Sequence, residues 1–167
     1  MGMIACYQMA EDEMINELLK KNAEEIFETI EELQELNEAV LDIDKMWDGL
    51  HFLITNVTAS EPVEGNPLSE AVIGVEKFSN DEDADFIAYI RSERVPIIYE
   101  KLKCFNIESA IERFQPIYFA QKGIYPNIWM HEDKKELQEE LYECFLALEN
   151  FYEKAAELEK AVIVSVY

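Results

Sequence analysis

Residues 161–167 read AVIVSVY. Four of the seven are Val or Ile, and polar residues do not alternate with them. The run therefore predicts a strand covered on both faces. It decides the fold, because most of the remaining chain reads as helix and a doubly covered strand needs partners. Residues 3–8, MIACYQ, supply a short apolar strand at the opposite end of the chain, and residues 86–90, FIAYI, supply another in the middle. Val75–Phe78 is a weaker strand, and residues 39–43 are ambiguous. The pattern predicts an α+β fold in which several helices pack on a small mixed β-sheet containing both terminal strands. No repeat, low-complexity tract or linker divides the 167 residues, so 1–167 reads as a single domain.

The helices are marked by their ends. Glu11-Asp12-Glu13 places negative charge where the helix dipole favours it. Asn22 with Glu25, and Asp133 with Glu136, have the spacing of capping boxes. Asp44 reads as the N-cap of a short helix from Lys45 to about Ile54, and Ser92 as the cap of a helix with Pro96 near its start. Asn66-Pro67 and Asn106 open two more, the first ending at Gly74, and Pro116 opens another. Leu137, Leu141, Phe145, Leu148, Tyr152 and Ala155 mark a C-terminal helix of about six turns.

The chain carries 36 acidic and 14 basic residues, a net charge of −22, and 49% of it is apolar. That apolar share excludes intrinsic disorder. Residues 11–44 hold 13 acidic and two basic residues, and residues 131–160 hold ten and four, so the two long helical regions carry most of the excess. A phosphate binder needs a basic patch, and the longest basic grouping is two lysines, so nucleic acid and anionic membranes are excluded as partners. A basic protein is the partner the charge admits, alongside plain solubility. The opening MGMIACYQMAEDEM turns acidic at once and lacks the features of a signal peptide. Three widely spaced cysteines, Cys6, Cys104 and Cys144, then read as reduced, buried thiols in a cytoplasmic protein that is a monomer or small homo-oligomer.

Loud catalytic motifs are missing. There is no glycine-rich phosphate loop, Cys-x-x-Cys or Gly-x-Ser-x-Gly, and two histidines do not make a histidine-rich metal site, so neither metal nor cofactor is expected. Asp81-Glu82-Asp83-Asp85 lacks the spacing of a calcium loop and reads as a solvated acidic turn. The informative segment is residues 41–53, LDIDKMWDGLHFL. On a helix, Asp44, Asp48 and His51 fall within about 60° of one another, at the edge of an apolar arc containing Trp47. Asp48 and His51 are candidate acid–base residues, since a carboxylate can orient an imidazole and raise its pKa. The alternative is structural: caps, dipole complementation and a satisfied core histidine. Gly49 inside a helix implies a close approach by another element or a ligand. Residues 123–129, GIYPNIW, place Tyr125 and Trp129 in a loop, either lining a pocket or anchoring the loop to the core.

These segments resemble the YfbM-like family of small bacterial proteins, a domain of unknown function. The similarity is carried by Met1-Gly2-Met3-Ile4 with Tyr7, by Asp44-Lys45-Met46-Trp47-Asp48-Gly49-Leu50-His51, and by Asn66-Pro67-Leu68 with Ala71-Val72-Ile73-Gly74. Ile124-Tyr125-Pro126-Asn127-Ile128-Trp129 and the long helix before the last strand add to it. It implies a bacterial, single-domain α+β protein and no particular activity, and it marks Asp44, Trp47, Asp48, His51, Tyr125 and Trp129. The leading expectation is a non-enzymatic cytoplasmic interaction or regulatory protein. The alternatives are a small enzyme or ligand-binding protein using Asp48 and His51 near an aromatic cleft, and an acidic nucleic-acid mimic.

Overall fold

The computed structural model describes residues 2–36 and 39–167. Met1, which opens the first matching segment, lies outside them. The terminal run forms strand β5 (Ala161–Val166) at the centre of a five-stranded sheet of order β2-β1-β5-β4-β3. The other strands are β1 (Ala5–Ala10), β2 (Leu41–Asp42), β3 (Glu76–Lys77) and β4 (Phe86–Ile90). β5 pairs with β1 from Ala5↔Val166 to Ala10↔Ala161, and with β4 from Phe86↔Val166 to Ile90↔Val162. The sheet anticipated as mixed is antiparallel at every described pairing. Strand direction depends on how the helices between strands reverse the chain, which local patterns do not encode.

All six residues of β5 are buried, and the reason is two-sided coverage. Val162, Val164 and Val166 join Tyr7 and Ile90 in the main core. That core is closed by α3 (Trp47–Thr55), α4 (Pro67–Ile73), α5 (Val95–Cys104), α6 (Ile107–Glu112), α7 (Pro116–Gln121) and α8 (Lys134–Glu157). Ile163 faces the other way and packs with Ile87 against Leu18 of α1 (Asp12–Leu18) and Ile26 and Ile30 of α2 (Ala23–Leu36). The layers are thus two helices, the sheet, and six helices. No helix among the described residues is long and apolar enough to cross a membrane.

The local signals place most helix ends correctly. Asn22 and Glu25 bond reciprocally at 3.0 Å ahead of α2. Asn66, Asn106 and Asp133 each accept a backbone N–H in the first turn of α4, α6 and α8. Leu137, Leu141, Phe145, Leu148, Tyr152 and Ala155 of α8 are fully buried.

Three expectations are corrected. Asp44 does not cap a helix: it takes a left-handed φ of 51° and starts a 3₁₀ turn, Asp44–Met46, ahead of α3. Asp42 instead accepts the Asp44 N–H at 2.6 Å, an Asx turn two residues earlier. Ser92 does not cap α5, which starts at Val95; its N–H and hydroxyl both go to the Asp12 carboxylate of α1. Cys104 is exposed, on the solvent side of the last turn of α5. Cys6 is buried and Cys144 partly so, and burial pushes the Cys144 thiol up to about 12.

Candidate functional site

The conspicuous segment spans the 3₁₀ turn and the first half of α3. Asp48 is the second residue of α3 and is 5% exposed. One oxygen accepts the Ala59 N–H at 2.7 Å and the Thr58 hydroxyl at 3.1 Å; the other accepts the Tyr125 N–H at 2.9 Å. One side chain therefore ties the α3 N-terminus to the loop before α4 and to the loop before α8.

The aromatic loop is held to the same helix. A Cβ on Gly49 would lie 2.4 Å from Trp129 Cη2, so the close approach implied at Gly49 comes from the Trp129 indole. Trp129 is 2% exposed and donates its indole N–H to the Ile124 carbonyl at 2.7 Å. It packs on Phe119 with ring centroids 4.7 Å apart and edge-on to Phe114. Trp47 donates to the Met3 carbonyl at 3.1 Å and stacks obliquely on the half-exposed Tyr125, centroids 5.4 Å apart. Trp47, Asp48 and Gly49 thus meet Tyr125 and Trp129, whereas Asp44 stays exposed on its turn.

His51 lies one turn along α3 and is fully buried. Nδ1 is 2.7 Å from the Val57 carbonyl, and Nε2 is 2.7 Å from the Ser69 hydroxyl. A carbonyl only accepts, so Nδ1 carries the proton and Nε2 accepts from Ser69. The Ser69 oxygen in turn accepts the Val63 N–H at 3.0 Å. Both ring nitrogens are engaged with groups other than Asp48. Burial pulls the His51 pKa below its ordinary value, against opposing effects of the Val57 bond and the Asp48 charge. Ser69 and Val57 carried no signal in the sequence that tied them to His51.

The pH consequence follows from that direction. Above about 6.5 the imidazole is neutral both unfolded and folded. As pH falls through 6.5 toward the lower folded value, the unfolded chain takes the proton first, so stability is lost across that window. Denaturant midpoints measured between pH 7.5 and 5 are expected to fall more steeply in the wild type than in His51→Gln. Equal slopes would mean that His51 titrates alike in both states.

Two grooves lie elsewhere on the described residues. One, of about 480 Å3, runs past the C-terminal half of α3 between Phe52, Phe114, Tyr118 and Phe119, with Arg113 and Lys122 among its lining. It is not lined by Asp44, Trp47, Asp48, His51, Tyr125 or Trp129. Among the described residues no three His, Cys, Asp or Glu side chains converge as a metal site. Chemically, the constellation organises backbone and loops: its carboxylate and imidazole have their polar atoms committed within the fold.

The chain is 29% identical over 134 residues to Protein YfbM of Escherichia coli (strain K12), covering 80% of this chain and 78% of that protein. Its fold matches the crystal structure of YfbM, a protein of unknown function from Escherichia coli, with a TM-score of 0.73 and 21% identity over 98% of this chain and 99% of that one. The family model described as a domain of unknown function, DUF1877, matches residues 1–165, and the chain belongs to that family.

Proposed function

We propose that this is a non-enzymatic cytoplasmic interaction or regulatory protein of bacterial type that recognises a basic partner. The observation that supports it is the outer face of the two-helix layer. Glu24, Glu25, Glu28, Glu31, Glu32 and Glu35 of α2 are all exposed, beside exposed Glu13 and Glu17 of α1. Lys20 and Lys21 are the cations carried between these helices. A surface so one-sided attracts and orients a positively charged protein and repels nucleic acid. In this reading the Asp48 and His51 constellation serves the fold, because a general base needs a nitrogen that a substrate can reach.

The test is co-purification at about 50 and 300 mM salt, using the wild type and a Glu24→Lys/Glu28→Lys/Glu31→Lys/Glu35→Lys variant. A basic protein is expected at defined stoichiometry with the wild type at low salt, lost at high salt and with the variant. Failure to retain one across several expression conditions, or equal retention by the variant, overturns the proposal.

A further inference from the structure

A second groove, of about 580 Å3, opens in that acidic layer between α1, α2 and the far end of β1. Met14, Leu33 and Leu36 contribute apolar walls, and Glu13 and Glu17 stand beside them. Leu36 is 83% exposed, more than the other large apolar side chains among the described residues. Gln8 of β1 lies in the lining and is 2% exposed, and neither its amide oxygen nor its amide nitrogen has a hydrogen-bond partner. Folded proteins satisfy almost all such atoms, so an amide left with both ends unpaired beside an open groove points to a ligand that completes it. Along the same edge, the described pairing of β2 with β1 is at Cys6 and Tyr7.

We propose that this groove seats an extended peptide segment of the partner, in which apolar residues alternate with Lys or Arg. In an extended chain the N–H and C=O of one residue point to the same side, and together they match the C=O and NH2 of the Gln8 amide once that buried side chain turns toward the groove. An apolar side chain of the segment enters between Met14, Leu33 and Leu36. Its flanking cations meet Glu13 and Glu17, the second of which otherwise holds only the exposed Lys20 at 3.0 Å. This inference deepens the basic-partner proposal and rests on it for the source of the segment.

The probe is the peptide acetyl-Lys-Leu-Lys-Leu-Lys-amide, titrated into the 15N-labelled full-length protein. The same peptide with Glu for Lys, and spermidine, serve as controls. The Gln8 side-chain NH2 signals, assigned by their loss in Gln8→Met, are expected to shift saturably with the lysine peptide only. Gln8→Met removes an unsatisfied amide at nearly constant volume, so it is expected to raise Tm by roughly 2–6 °C while weakening peptide binding about five-fold or more. A lower Tm in Gln8→Met means that the amide is satisfied in the free protein and overturns the inference. Unmoved Gln8 signals, or an equal shift with spermidine, overturn it too. The two proposals fail separately: a co-purifying partner that binds Gln8→Met as tightly removes the groove alone, and a peptide seated at Gln8 with no co-purifying partner removes the partner alone.

Discussion

Asp48→Ala is expected to lower folding stability by about 3–5 kcal/mol, as breaking a buried hydrogen-bond network does. The loss exceeds that of one side chain because of what remains behind. The Ala59 and Tyr125 N–H groups, bonded to the carboxylate at 2.7 and 2.9 Å, would lose their acceptor, the first in a buried site and the second in a part-buried one. The Thr58 hydroxyl can turn to Ser60, 3.2 Å away, and contributes less. Two stranded backbone donors at about 1–3 kcal/mol each account for most of the effect. Asp48→Asn is the sharper variant. Its amide supplies one oxygen, so its NH2 must face either the Ala59 or the Tyr125 N–H, donor against donor. Asn is therefore expected to recover little of what Ala loses, although it is close to isosteric. For a domain whose whole stability is about 5–15 kcal/mol, either variant should show a much lower urea midpoint. A loss under about 1 kcal/mol in both would mean that Asp48 is not the tie between the three segments.

That tie also shows how far the sequence could be read. Asn66, Asn106 and Asp133 were legible as caps because each bonds a backbone N–H two or three residues ahead, within one local pattern. β5 was legible because coverage on both faces removes alternation. The sense of the sheet was not, since β1 and β5 meet across nearly the whole chain. At the site, helical geometry placed Asp48 and His51 on neighbouring positions, and they do occupy α3 one turn apart. Their side chains nonetheless leave for different partners: Asp48 for residues 10, 11 and 77 positions away, His51 for Ser69, 18 positions away. Proximity on a helix sets which groups are near, and long-range acceptors and donors decide which bond forms. Asp44 fell outside the group for a backbone reason, its left-handed φ, which no side-chain periodicity reveals. Gly49 was the readable exception: a glycine inside a helix implied a close neighbour, and Trp129 is that neighbour.

Gly49→Ala therefore separates propensity from packing with a definite sign. Inside a helix, Ala is favoured over Gly by about 1 kcal/mol, so propensity alone predicts a gain. Here the new Cβ would lie 2.4 and 2.7 Å from two carbons of the Trp129 ring. The indole has little room to retreat, because its N–H is held by the Ile124 carbonyl and its faces and edges meet Phe119 and Phe114. Overpacking of this kind costs typically 1–3 kcal/mol and more when the neighbour is rigid, so a net loss of about 2–3 kcal/mol is expected. The partner variant is Trp129→Leu, which loses about 3 kcal/mol by itself through the cavity it leaves. With the ring gone, Gly49→Ala should become neutral or favourable by up to about 1 kcal/mol, giving a coupling of roughly 2–4 kcal/mol across the cycle. Chemical denaturation of the four proteins measures it. A stabilising Gly49→Ala in the wild-type background would show that the indole yields easily, and that the glycine answers to something other than the ring packed over it.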